Sequence, residues 1–468
     1  MKKLLFLIPL VVCIFIECKK DCNIVAPPDQ LPSGASFMQP SPQRSGNVTK
    51  GFQYLTEGDF LNSGIPFNSF KLAFGNSNPD DLGRTGDNKG IAYNYTVSTT
   101  AQGVKIVSQN CFSCHATKIN GKLVLGVGNN LSDNSQDQTA TLNQLETLIK
   151  LQYGGTNSPE WKAYETYGKA LRAIAPGVVT QTLGANPADK IFAALSAHRN
   201  ATDLSWIDAA QYNVPKEVVH TDVPAWWLMK KKNVLYYNGL GQGDYARLVM
   251  ASSLLTMKDS TEAAKIDNRF ADVISYMKTI EAPKYPFSTD ANLVATGKKV
   301  FENNCTKCHG SYGSTPTYPN YLIDLQSIKT DATLANLYKT YPEYNTWYNK
   351  SWFNKGKYAA QLNPQNGYIA PPLDGVWATA PYLHNGSVPS IEDLLNSTQR
   401  PAVWRYTKTD NTDYDETKMG WKYTAATKKA DLQTYDTSLL GYSNSGHYYG
   451  DSLTNEERKA VLEYLKTL

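Results

Sequence analysis

Two pentapeptides constrain this chain more than anything else in it: Cys111-Phe112-Ser113-Cys114-His115 and Cys305-Thr306-Lys307-Cys308-His309. Both read C-x-x-C-H. At that spacing two thiols can form thioethers to the vinyl groups of a haem while the adjoining histidine becomes the proximal iron ligand. With 7 Cys and 6 His in 468 residues, two chance copies are a poor explanation. Two other thiol chemistries compete. The four cysteines could form one zinc site, but zinc gives no reason for a histidine after both pairs. Each pair could be a redox dithiol, but that motif follows a strand in a βαβ unit, and the pattern ahead of both pairs reads as helix. Two covalently bound c-type haems are therefore expected, on Cys111, Cys114, Cys305 and Cys308, with His115 and His309 on the metal.

Composition and the first residues supply the setting. A net charge of +4 and a pI near 8.4, with no basic run interleaved with aromatics, exclude a nucleic-acid partner from the expectations. The 30 Tyr and 9 Trp suit pockets around a large planar cofactor. Met1-Lys2-Lys3 followed by the apolar run Leu4–Ile16 reads as an export signal over residues 1–22, too short to span a bilayer. Cys18 is a candidate for lipid attachment to a membrane, with a Cys18–Cys22 disulfide or a free thiol as the alternatives. A periplasmic or cell-surface location is expected. Residues 23–48, rich in proline and small polar residues, read as a flexible tether.

Beyond the tether the chain repeats itself. Ala101–Asn110 aligns without gaps with Ala295–Asn304, Ala, Gly, Lys and Asn recurring in register, so each haem motif is expected to follow an amphipathic helix. Ile274-Ser275-Tyr276-Met277-Lys278-Thr279-Ile280 likewise matches Leu462-Glu463-Tyr464-Leu465-Lys466-Thr467-Leu468, and Thr454-x-x-Glu457 makes a capping box ahead of the second stretch. The pattern divides the chain into a first unit at 49–280, a linker at 281–290 and a second unit at 291–468.

These residues resemble the c-type cytochrome fold, whose first and last helices cross. Pro371-Pro372-Leu373-Asp374-Gly375-Val376-Trp377-Ala378-Thr379-Ala380-Pro381-Tyr382-Leu383-His384-Asn385-Gly386-Ser387-Val388-Pro389 and Asn444-Ser445-Gly446-His447-Tyr448-Tyr449-Gly450 further resemble the bacterial di-haem cytochrome c peroxidase superfamily, most of all its di-haem rubber-oxygenase branch. Asp222-Val223-Pro224-Ala225-Trp226-Trp227 is a looser match in the first unit. The resemblance implies a mainly α protein of two tandem cytochrome c-like domains with one haem c each. It makes His447 the distal ligand of the second haem and sets His384 near a haem edge, a place it could equally hold as a loop-fixing hydrogen-bonding residue. It implies a small redox donor protein or carrier as partner, and says nothing about calcium.

The remaining ligands decide between catalysis and electron carriage. A haem closed by two strong ligands stores electrons, whereas an open one binds peroxide or dioxygen. Counting back from Ile280 as far as His447 stands from Leu468 lands on Asp259, so the repeat loses its histidine there. Nearby Met250 and Met257 are candidate ligands or simply core. His220 is a candidate displaceable ligand of the first haem, and His198 a structural or surface residue. Trp226 and Trp227 are candidates for an electron relay or a distal-pocket wall, with Tyr236 and Tyr237 behind them. The expectation is an oxidoreductase using peroxide, dioxygen or an organic substrate at the first haem, with electron transfer through the second; the alternative is a pure electron carrier with both haems six-coordinate.

Overall fold

The computed structural model describes residues 31–58 and 61–468. The expected export signal, Cys18 and the first part of the tether lie outside the described residues. No helix among the described residues is long and apolar enough to cross a membrane.

Each unit is built on two crossing helices. Val48–Glu57 packs on Ser260–Met277, and Ala291–Asn304 packs on Asn455–Leu465. Glycine makes both crossings possible: a Cβ on Gly51 would collide with the Asp272 carbonyl, and one on Gly297 with the Ala460 carbonyl. Asp272 and Ala460 hold matching places in the repeated closing stretches. Aromatic pairs seal the crossings, Phe52 on Tyr276 at 5.2 Å and Phe301 on Tyr464 at 5.3 Å. Asp259 caps the first closing helix through the Thr261 and Glu262 amides, and Thr454 with Glu457 caps the second.

The expected helix before the first haem motif is absent. Thr100 to Gly103 forms a hairpin tip, with Gly103 at a φ of 81°, and Lys105–Gln109 returns as a strand beside Tyr95–Thr99. The β-branched run Val104, Ile106 and Val107 suits a half-buried strand, and its chain matches Ala295–Asn304 in letters but not in shape. The counterpart of Ala291–Asn304 is Val48–Glu57, separated from its haem motif by inserted strands. More short strands follow in the second unit, where Val403–Tyr406 pairs with Tyr423–Ala425 and Thr434–Asp436. Helix makes up 38% of the described residues and strand 13%, so the fold is mixed rather than mainly α.

The described part of the expected tether is also bound. Ala35–Phe37 pairs antiparallel with Tyr321–Asp324, in the second unit. The chain then crosses to the first unit, where Gln43 caps the Tyr245 amide and Arg44 pairs with Asp244 and Asp267 at 2.8 and 3.0 Å. Arg247 shares Asp267 at 2.7 Å and lies 3.9 Å over the Trp352 ring, drawing the segment around 352 into the first unit's core.

A second repeat joins the units. Leu235 bridges Gly241 across a turn, and Tyr382 bridges Val388 across another at the same spacing. Tyr236 and Leu383 take φ of 70° and 67°, Gly239 and Gly386 both 65°, and Asn238 and Asn385 each accept the amide two residues on. Each turn receives a backbone hydrogen bond from the other unit: Asp222 N–H donates to the His384 carbonyl at 2.8 Å, and Ile369 N–H to the Tyr237 carbonyl at 2.7 Å. This reciprocity is the mark of a two-fold contact, here between halves of one chain.

Gly297→Ala should push the second unit's helices apart. It is expected to lower unfolding stability by about 1–3 kcal/mol, measured as a fall in the denaturation midpoint.

Candidate haem sites

Both motifs adopt one local geometry. Cys111 and Cys305 each precede a single helical turn, Phe112–His115 and Thr306–His309, and their carbonyls accept the amides of the motif's second cysteine and histidine at 3.0–3.3 Å. None of the four cysteines of the motifs is in a disulfide among the described residues. Burial, and then the neighbouring thiol, push Cys111 up to about 12 and Cys305 up to about 11. A redox dithiol needs a thiol poised in the opposite direction. The strand before Cys111 leads into a hairpin of Ala116–Ile119 and Lys122–Leu125 rather than a βαβ unit. Cys111 and Cys305 pack against different hydrophobic clusters, so the two pairs do not converge on one zinc ion.

In the second unit the histidines themselves test the fit of a haem. His309 Nδ1 lies 2.8 Å from the Pro371 carbonyl, which as acceptor leaves the unprotonated Nε2 as the ligating atom. The His447 ring faces His309 with centroids 6.1 Å apart. That separation suits two imidazoles whose nitrogens each sit about 2 Å from one metal between them. Burial lowers the pKa of both, His447 to about 3 with His309 and Arg400 adding to the effect, so both rings are neutral, as ligation requires. The loop holding His447 is fixed from behind. Gly446 passes so close to Thr330 that a Cβ would collide, His447 N–H donates to the Ile328 carbonyl, and the Arg400 guanidinium donates to the carbonyls of Asn444, Gly446 and His447 at 2.7, 2.7 and 3.2 Å.

The first site is built differently. The His115 ring stacks on Trp226 at 4.7 Å and 27° and lies beside the Pro224 carbonyl, with its Nδ1 buried and without a hydrogen-bond partner. Pro224 and Pro371 stand at matching places in the repeated segments. Burial pushes His115 down to about 3. Trp226 therefore packs on the motif histidine itself and does not form a wall across from it. Trp227 donates from Nε1 to the Asp374 carbonyl at 2.8 Å, reaching into the second unit.

The other candidates settle elsewhere. His384 stacks on Tyr368 at 4.0 Å, its Nε2 without a partner, and its backbone carbonyl does the loop-fixing. His220 stacks on Tyr442 at 4.5 Å and meets Tyr435 edge-on, while His198 stacks on Trp206 and bonds the Ile207 carbonyl. Met250 and Met257 are fully buried in the first core, and Asp259 is a helix cap. Sequence reasoning missed Asp222 and Arg400. Tyr237 donates to Asp222 at 2.8 Å, beside a small cavity also lined by His220, Tyr406 and Tyr435.

Burial pushes Asp222 up to about 7, with Tyr237 and a backbone amide pulling the other way. Its folded value lies above that of an unfolded aspartate, so the native state binds the proton more tightly, and stability falls as pH rises from about 4 to about 7. Asp222→Asn should remove that part of the slope, leaving the variant relatively more stable at pH 8 than at pH 4; equal pH dependence in parallel thermal melts would contradict this.

Comparison with known proteins agrees with the second site. Residues 294–385 match the cytochrome c family, and residues 367–405 match a family described as RoxA-like, cytochrome c-like. Residues 294–385 are thus similar to a cytochrome c domain, which implies covalently bound haem c. An uncharacterized protein of Sinorhizobium fredii (strain NBRC 101917 / NGR234), y4iM, is 23% identical over 387 residues, covering 69% of this chain and 83% of that one. A second from the same strain, y4iJ, is 40% identical over 122 residues, 23% of this chain and 20% of its own length. A solved structure of Kuenenia stuttgartiensis hydrazine synthase covers 53% of this chain and 72% of its own at 14% identity, with a TM-score of 0.25.

Proposed function

We propose that this haem oxidoreductase is an exported di-haem enzyme, periplasmic or at the cell surface, in which the first haem, on Cys111, Cys114 and His115, reacts with peroxide or dioxygen. The second, on Cys305, Cys308, His309 and His447, passes it electrons from a small redox donor. One observation carries this reading: His309 faces a second imidazole, whereas the three remaining histidines, His198, His220 and His384, are each stacked on aromatic rings elsewhere. Haem c supplies one-electron exchange and, where its sixth position is open, a place for peroxide or dioxygen.

The residues of the chain do the rest. The Pro371 carbonyl orients His309, and Arg400 with Gly446 holds His447 opposite it, a pairing suited to electron storage. Trp226 and Trp227 link the sites. The His115 ring rests on Trp226, the next residue donates to the Asp374 carbonyl, and three residues back along that backbone the Pro371 carbonyl meets His309 Nδ1. The path uses one aromatic stack, two hydrogen bonds and covalent bonds, with neither tryptophan exposed.

Denatured protein should retain two covalent haems per chain, and Cys111→Ala with Cys114→Ala should leave one. His447→Ala should convert the second haem from low to high spin in the optical and EPR spectra without altering the first; an unchanged second haem sinks the assignment of His447.

The reduced protein should bind CO at one haem only and turn over hydrogen peroxide when a reductant is supplied. Trp226→Phe should keep both haems and slow that turnover. Two low-spin irons in both redox states, inert to CO and peroxide, would leave an electron carrier instead.

A further inference from the structure

At the seam between the two units a phenol and a carboxyl are in contact, a pair that the relay through Trp226 and Trp227 does not use. Tyr237 donates from its hydroxyl to Asp222 Oδ2 at 2.8 Å. Each partner is tied to a different haem site. Asp222 stands two residues before Pro224, whose carbonyl lies beside His115, and its own N–H donates to the His384 carbonyl. The Tyr237 carbonyl receives the Ile369 N–H, two residues before Pro371, and its ring packs on the hydrophobic cluster of Tyr321, Ile328 and Tyr368 that Cys308 also touches.

The pairing decides what this tyrosine can do. A phenol that loses an electron becomes a strong acid, and it holds the oxidation only where a base within hydrogen-bond reach takes its proton. Neighbouring rings lack such a base: Tyr368 and Tyr435 donate to the backbone carbonyls of Asp331 and Asn385, and the Trp227 indole to that of Asp374. An amide carbonyl accepts the hydrogen bond but does not keep the proton. Asp222 can, because burial raises its affinity for a proton and no cation pairs with it among the described residues. Around the carboxyl stand His220, Tyr406 and Tyr435, all neutral, the imidazole pushed down to about 3 and both phenols raised by burial.

Reduction of hydrogen peroxide to two waters takes two electrons and two protons. When the second haem is already oxidised, the first site has to draw on the protein for part of that supply. We propose that Tyr237 is a redox-active tyrosine that lends an electron to the peroxide-oxidised first site, with Asp222 as the acceptor of its phenolic proton. The electron leaves the ring toward the first site, the O–H bond of Tyr237 breaks and an O–H bond forms on Asp222 Oδ2. A neutral tyrosyl radical then lies beside a neutral carboxylic acid. An electron arriving from the second site, with the proton returning along the same hydrogen bond, restores the phenol and the carboxylate. The role rests on the reading that the first haem reacts with peroxide, and gives one oxidising equivalent a place to wait.

Freeze-quenched EPR of the intact, fully oxidised, haem-loaded protein mixed with hydrogen peroxide tests this, with optical spectra of the first haem recorded alongside. Peroxide should change the first haem's spectrum and raise a narrow radical signal that ring-deuterated tyrosine sharpens. Tyr237→Phe should abolish that signal while both covalent haems and the optical change remain. Asp222→Asn keeps an oxygen to accept the phenol but removes the proton acceptor, and should cut the radical yield roughly tenfold. Tyr164 meets Glu146 at 3.2 Å in a core cluster that neither haem motif touches, so Tyr164→Phe should leave the signal unchanged. An optical change with no radical, or a signal that survives Tyr237→Phe or Asp222→Asn undiminished, overturns the role of Tyr237 and leaves the peroxide reading standing. A first haem whose spectrum peroxide does not alter overturns both.

Discussion

The two halves of this protein are held in register by a pair of backbone hydrogen bonds, Asp222 N–H to the His384 carbonyl and Ile369 N–H to the Tyr237 carbonyl. Much of the redox architecture depends on them. Asp222 and Ile369 each stand two residues before a proline whose carbonyl faces a motif histidine, Pro224 toward His115 and Pro371 toward His309. Docking the turns therefore places both carbonyls at once, and with Pro371 the orientation of the His309 imidazole. Main-chain groups suit this task. They need no particular side chain, so the contact survives when the residues around it diverge.

Divergence is where the two sites separate. At one matching pair of turn positions the chain carries Tyr237 and His384, and at another Asp222 and Ile369. One half thereby gains a buried carboxyl and phenol that the other lacks. Opposite the motif histidines the difference is larger still: the second unit brings His447 in on a left-handed backbone clamped by Arg400, whereas in the first the matching count falls on a helix cap. The duplicated scaffold thus carries unlike candidate ligand sets around its two C-x-x-C-H motifs.

Much of this was legible in the amino-acid order, and the misses have physical causes. The C-x-x-C-H motifs, the closing helices and the Thr454 capping box are local signals, set by residues a turn or less apart, and the structure shows the helices and the cap where the pattern placed them. The segment Ala101–Asn110 misled because shared letters said nothing about Gly103, whose left-handed backbone turns the chain into a hairpin. Gly51, at the crossing within the real counterpart helix, gives no signal in sequence because its partner carbonyl, that of Asp272, is far along the chain. Trp226 stays open to two readings in sequence, electron relay or pocket wall, because adjacency does not say which side of a histidine ring a neighbour will cover. Proline and small polar residues before residue 48 suggested a loose tether, yet Ser41, Gln43 and Arg44 are bonded along their length by partners about 200 positions away. Non-local pairing of that kind leaves no periodicity to read.

That early segment has a consequence for how the molecule is made. Ala35–Phe37 leaves the ribosome well before the strand it pairs with, Tyr321–Asp324, which follows far later in the chain. At synthesis rates of about 5–20 residues per second, the edge waits tens of seconds for its mate. The first half cannot be closed on its own schedule, and its last β-ladder forms only when the second half arrives to supply the other side.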